Sequence, residues 1–278
     1  MNQRKCLKLL LLQLPLTIAF AQLTLIARTP GAGNFLVINI LAWFSSMLLW
    51  LDVINPLRSI ILGRYAFFAL PILFWTLVIL SRPHTLYDSL LNAVPFATFS
   101  ALILLIHRCR WHPFLLLGLL PALHYGITTF FPTYQLSRFT AILAAQFLWL
   151  AGHSAVPQAD LILLPTHRLQ IGPGCTGVSA LSLCVASVVS LLLLNGSLSP
   201  VRSAFLLCSA PVLAISVNAF RVALLALMPV NRIGSGVSES SQFAFWHDGL
   251  GSTLFALLAV SLLFALEHCL SHLDIRSS

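Results

Sequence analysis

Apolar stretches of bilayer length recur from one end of this chain to the other, and they exclude a soluble fold. The long runs are Leu9–Ala27, Phe35–Val53, Tyr65–Leu80, Leu90–Ile106, Pro113–Phe131, Thr176–Asn195, Ser203–Met228 and Leu250–Leu266, with a shorter piece at Arg138–His153. A helix needs roughly 20 apolar residues to cross a hydrocarbon core. Nothing between the runs is long enough for a separate soluble domain. Only 8% of the residues are charged and 59% are hydrophobic, where a soluble domain carries about 25% charged. The sequence therefore predicts an all-α polytopic membrane protein, a single integral domain over 1–278 with N-terminal spans in 1–137 and a core in 138–268.

The formal charge of +8 belongs to topology. Arg4, Lys5, Lys8, Arg58, Arg64, Arg108 and Arg110 sit singly or in small groups at the ends of apolar runs, with no basic stripe for a nucleic acid. Basic residues collect on the cytoplasmic side of a membrane protein. With the N-terminus inside, Arg58, Arg64, Arg108 and Arg110 all fall in cytoplasmic loops. Cytoplasmic positions for Arg202 and Arg276 place Ser154–Gly174 outside. The two requirements agree when one apolar piece does not cross, and Arg138–His153 is the shortest. The expected arrangement is about eight transmembrane helices plus one interfacial helix, with both termini cytoplasmic. Arg4, Lys5 and Lys8, then Leu9–Ala19 and Ala19-Phe20-Ala21, also have the outline of a signal peptide. The apolar run continues to Ala27, which suits an uncleaved first span better.

Ser154–Gly174 differs from its surroundings. Asp160–Pro165 and Leu169–Ile171 are short extended-type runs, and Thr166-His167-Arg168 lies between them as a turn. This predicts a hairpin-like extracytoplasmic loop ending at Gly172-Pro173-Gly174.

Topology then groups three residues at the outer interface. Cys175 opens the helix Thr176–Asn195. Arg221 lies roughly 27 Å along its helix from the cytoplasmic start at 1.5 Å per residue. His247 stands at the mouth of the last span. A thiol at a helix N-terminus, with a cation nearby, is favoured as thiolate, the nucleophilic form. Gly174 and Gly177 permit close approach, and free helix N–H groups are oxyanion donors. An imidazole can move a proton to a leaving amine. An arginine inside a membrane helix is costly and should face a polar cavity. Asn218, three residues before Arg221, shares its helical face and could hold the guanidinium. Each residue also has a plainer reading: packing for Cys175, snorkelling to the headgroups for Arg221, interfacial anchoring for His247 beside Trp246.

The other constellations are weaker. Cys6, Cys109, Cys175, Cys184, Cys208 and Cys269 show neither CxxC spacing nor a regular pairing. His268, Cys269 and His272 have the spacing of a metal pair but lie at a helix end. His107, Cys109 and His112 fall in a charged loop. Asp248 could cap the last helix or orient His247. No HExxH, GxSxG, Walker A or GxGxxG motif occurs, and no cofactor or metal is expected.

Gly174-Cys175-Thr176-Gly177-Val178, then Asn218-Ala219-Phe220-Arg221, then Phe245-Trp246-His247-Asp248 with Gly251 beyond, resemble the exosortase/archaeosortase family of membrane cysteine transpeptidases. The specific likeness covers about 138–268, including Gly152 before the outer loop; the N-terminal half matches only as generic spans. Thr176 stands where serine is commoner in the family. The resemblance implies a plasma-membrane enzyme with a catalytic Cys175, Arg221 and His247. Its substrates would be exported proteins with C-terminal sorting signals, often of Pro-Glu-Pro type, followed by a transmembrane tail. Cys175 would form a thioester, His247 would protonate the leaving amine, and Arg221 would stabilise the oxyanion or thiolate. Two other classes remain open: a transporter in which Arg221 binds an anion, and a non-catalytic component of an export or polysaccharide assembly system.

Overall fold

The computed structural model describes residues 16, 19–20, 22–24, 26–27, 33–54, 112–195, 198–228, 231–233, 236–238, 241–247 and 250–277. The expected spans Tyr65–Leu80 and Leu90–Ile106, most of Leu9–Ala27, and Asp248 lie outside these residues. The chain forms two compact units, one of 1–126 with 189–197 and one of 127–188 with 198–278.

In the first unit, α1 (Gly33–Ile54) contains the expected run Phe35–Val53. It packs against α2 (His112–Gly118). Three buried polar side chains satisfy one another in this apolar setting. Trp43 Nε1 donates to Gln22 Oε1 at 2.7 Å, and Gln22 Nε2 donates to Asn39 Oδ1 at 3.3 Å. The run Pro113–Phe131 is divided into α2 and α3 (Leu120–Phe130). Pro121 explains the break: it has no N–H to donate to Leu117, and its ring crowds that carbonyl.

The second unit carries everything that follows. Helix α4 (Thr133–Leu150) starts five residues before the expected Arg138. Its 18 residues span about 27 Å at 1.5 Å per residue. It ends in a Schellman closure, which the sequence supports by placing glycine where the backbone turns left-handed. Gly152 has φ +82°, its N–H bonds Trp149 O at 3.0 Å, and His153 N–H bonds Leu148 O at 2.9 Å.

The outer loop is a three-stranded antiparallel meander: β1 (Val156–Gln158), β2 (Leu161–Leu163) and β3 (Arg168–Gln170), in that order. The expected hairpin is β2–β3, with Ile162 opposite Leu169 and a tight turn at Pro165-Thr166 closed by Leu164 N–H to His167 O, 2.9 Å. The turn is pinned from outside the sheet. His167 Nε2 donates to Ala226 O at 2.9 Å, and its Nδ1 meets Thr166 Oγ1 at 3.0 Å. A carbonyl can only accept, so Nε2 carries the proton.

Helix α5 (Val178–Leu194), α6 (Pro200–Ala226), the hairpin β4 (Asn231–Ile233) and β5 (Gly236–Ser238), α7 (Ser241–His247) and α8 (Leu250–Ser277) complete the chain. Among the described residues, Pro173–Leu194, Pro200–Ala226 and Gln242–His272 are long and apolar enough to cross a membrane.

Helix α6 is the spine, packed against both α4 and α8. Leu206, Ala210, Ala214 and Asn218 recur every four residues along its buried face, and Ala141, Ala144 and Ala145 are buried on α4. Small residues let helix backbones approach closely, the packing that serves where lipid supplies no hydrophobic drive. Phe205, Val212 and Leu224 on α6, and Leu254, Leu258 and Leu262 on α8, stay exposed as lipid-facing residues should. Polar clamps hold the α6–α8 pair at both ends. Arg202 bonds Glu267 Oε1 at 2.5 Å and its carbonyl at 3.0 Å. Near the other end of α6, Arg221 Nη1 donates to Ser252 Oγ.

Candidate active site

The turn that bears Cys175 is built by its neighbours. Pro173–Cys175 is a single 3-10 turn with Pro173 at its start, where a missing N–H costs nothing. Cys175 N–H bonds Gly172 O at 2.9 Å. Thr176 stitches this turn to α5: its hydroxyl donates to Pro173 O at 2.9 Å and accepts the Val178 N–H at 3.4 Å. The Thr176 carbonyl in turn accepts from Thr140 Oγ1 of α4 at 3.2 Å. Cys175 therefore precedes α5, where the sequence reading placed it at the helix's first position.

A main chain bent this sharply and buried must find partners for its carbonyls. Helix α6 supplies them. Asn218 Nδ2 donates to Cys175 O at 2.8 Å, and Arg221 Nη2 donates to Gly174 O at 3.2 Å. Asn218 and Arg221 do share a helical face, but the Asn218 donor goes to the backbone of the cysteine.

Gly177 makes this closure possible. Its φ is +87°, and a Cβ there would stand 2.7 Å from Asn218 Nδ2 and 2.9 Å from Asn218 Cγ. Changing Gly177→Ala forces a side chain into the left-handed region and drives Asn218 off the Cys175 carbonyl. A loss of about 2–4 kcal/mol in stability is expected, from strain and overpacking together. Thermal unfolding of the protein in detergent measures it, and an unchanged midpoint would contradict the packing described.

Arg221 is 3% exposed, with its guanidinium turned to Gly174 and Ser252. Snorkelling does not describe it; the cation is inside the protein. Cys175 is 4% exposed and belongs to a cluster with Leu148, Ala155, Ile162, Ile171 and Val222. His247 ends α7, stacked on Phe243 at 5.2 Å with ring planes 16° apart. Phe243 and Trp246 of the same short helix pack on the cluster that contains Cys175. Gly251 lets α8 close on α7, since a Cβ there would meet Trp246 Cε3 at 2.4 Å. Polar contacts thus join Arg221 to the turn of Cys175, and packing brings the helix of His247 to the same cluster.

Sequence reasoning missed Ser252 and Thr140. Both are single hydroxyls within apolar helices, a pattern shared by Ser182 and Ser187, which bond their own helix carbonyls. The supposed metal pair, His268 and His272, has Nε2 atoms 3.2 Å apart on the exposed end of α8. Among the described residues no group of three or more possible metal ligands occurs.

The apolar helices and this site define a helical membrane protein whose cysteine-bearing turn is held by a buried guanidinium. The sequence matches the family model described as transmembrane exosortase over residues 27–264, and the chain belongs to that family. No curated protein and no solved structure matches it. An exosortase-type function in a membrane follows.

Proposed function

We propose that the protein is a membrane-embedded cysteine transpeptidase. It cleaves C-terminal sorting signals of exported proteins at the outer face of the plasma membrane, with Cys175, Arg221 and His247 as its catalytic residues. The observation that carries this reading is the Arg221–Gly174 contact: a buried cation bonded to the residue that precedes the only cysteine set in such a turn among the described residues.

The Cys175 thiolate attacks the scissile carbonyl carbon, and the carbonyl π-pair moves to oxygen. Positive charge from Arg221 and the N–H groups that open α5 favour the oxyanion. As the intermediate collapses, the C–N bond breaks, and His247 delivers a proton to the departing amine. The acyl half remains on Cys175 as a thioester until an acceptor nucleophile displaces the thiolate. No step calls for a metal or cofactor. The substrate's own transmembrane tail enters laterally between spans. About eight crossings and one interfacial piece, with both termini cytoplasmic, put Cys175 outside, where exported proteins are.

The decisive experiment is to trap the thioester. Protein in nanodiscs, mixed with a substrate and quenched in acid, should gain the mass of the acyl fragment on the peptide bearing Cys175. Hydroxylamine should remove it. Cleavage that persists after complete thiol alkylation, or that never yields the adduct, would sink the reading. A transporter predicts activity that survives alkylation.

A further inference from the structure

The meander before Cys175 has two edges, and they are not alike. Bonded pairs in an antiparallel ladder alternate. Ile171 N–H bonds Asp160 O at 2.9 Å and Leu164 N–H bonds His167 O at 2.9 Å, so Leu169 faces Ile162 as a bonded pair. The main-chain groups of Arg168 and Gln170 then point away from β2. The same alternation turns Val156 and Gln158 of β1 toward β2 and leaves Pro157 facing outward. Proline has no N–H, so it blunts the β1 edge against a further strand. The β3 edge has no proline. The sheet ends there among the described residues, and both Arg168 and Gln170 are exposed.

The open edge is also the one aimed at the site. β3 runs through Ile171 and Gly172 directly into the turn of Cys175. Its other end is fixed by the His167 bond to the end of α6, the helix that carries Arg221. Ile162 and Ile171 anchor its underside, 0% and 3% exposed. The edge is therefore a rigid template that leads to the thiol.

We infer that β3 is the substrate-binding strand. The extended segment preceding the scissile bond adds to it as a fourth strand, parallel to β3, paired with the main chain of Arg168 and Gln170. This rests on the proposed cleavage reaction. Direction follows from the chemistry: a segment running with β3 brings its carboxyl end to Cys175. The part that stays on the thiol as the acyl group is then the part the sheet holds, while the amine half is free to leave. Main-chain pairing supplies affinity that tolerates side-chain variation, which suits an enzyme that handles many exported proteins.

The test uses the full-length protein in nanodiscs and a synthetic peptide that the wild type cleaves. Gln170→Pro deletes an outward donor and no bond to β2, while Gln170→Ala keeps the donor and loses only the 3.2 Å contact to Asp160. One lost hydrogen bond corresponds to about a threefold to tenfold rise in KM for Gln170→Pro, with kcat little changed and Gln170→Ala near wild type. Peptides N-methylated one residue at a time should be cleaved more slowly at alternate positions before the scissile bond, and normally after it. Equal KM values for both variants at wild-type thermal stability, or no period-two pattern before the bond, would overturn the inference while leaving the cleavage reaction standing. A Gln170→Pro protein that unfolds early is set aside, and the methylation pattern alone decides. A wild type that cleaves no sorting-signal peptide would instead remove the reading beneath it.

Discussion

Changing Cys175→Ala is expected to lower the rate of sorting-signal cleavage by about 10⁴-fold or more, since loss of a covalent nucleophile leaves only binding and oxyanion stabilisation. That corresponds to about 5.5 kcal/mol in the barrier. Packing alone cannot produce it. Removing one buried sulfur atom from the cluster around Ile162 and Val222 should cost about 1–2 kcal/mol of stability, a typical value for a small cavity. Cys184 is the internal control: it lies on α5, 0% exposed, with no guanidinium bonded to its turn. Cys184→Ala should show a comparable stability loss and full activity. Cys175→Ser should resemble the alanine variant, since a hydroxyl is a far weaker nucleophile than a thiolate without a strong base. Rates measured beside thermal midpoints decide the matter. If Cys175→Ala and Cys184→Ala lose activity equally, the thiol is a packing group and the enzyme mechanism fails.

Much of this arrangement was legible in the chain, and the misses have physical causes. α1 and α6 agree with their apolar runs to within three residues, since in lipid the helix is the only unit that satisfies its own main chain. α8 outruns the expected end at Leu266 because charge there marks the exit from the apolar layer, not the end of the helix. Glu267 continues it, with its carboxylate on Arg202. β1 was missed because Pro157 sits at its centre, and a proline argues against a strand unless it faces an open edge, which only the register reveals. The β4–β5 hairpin had a signal in Gly234-Ser235 between two short β-capable runs. For the candidate site, residue order along the chain grouped Cys175 with Arg221, because both fall at one depth. It could not say that Asn218 serves the backbone of Cys175, or that Ser252 shares the guanidinium. Those depend on how α6 and α8 rotate about their axes, which two apolar helices do not write into their sequences.

Arg221→Met gives the sharpest separation of stability from catalysis. A buried guanidinium costs several kcal/mol in desolvation, partly repaid by its bonds to Gly174 and Ser252. Methionine of similar length removes that cost but leaves the Gly174 carbonyl unbonded, a penalty of about 1–3 kcal/mol. The two terms oppose each other, so the thermal midpoint should move little in either direction. Catalysis has no such offset. A cation that stabilises a developing oxyanion or the thiolate is worth about 10²–10³ in rate, roughly 2.7–4 kcal/mol, and methionine supplies none of it. The loss should appear in kcat with KM nearly unchanged, because the charge matters most when negative charge develops. Arg221→Lys should fall between. It keeps the charge, but an ammonium cannot fork to Gly174 O and Ser252 Oγ as a planar guanidinium does. If Arg221→Met retains kcat while holding its midpoint, Arg221 only supports the turn, and oxyanion stabilisation must come from the N–H groups at the start of α5 alone.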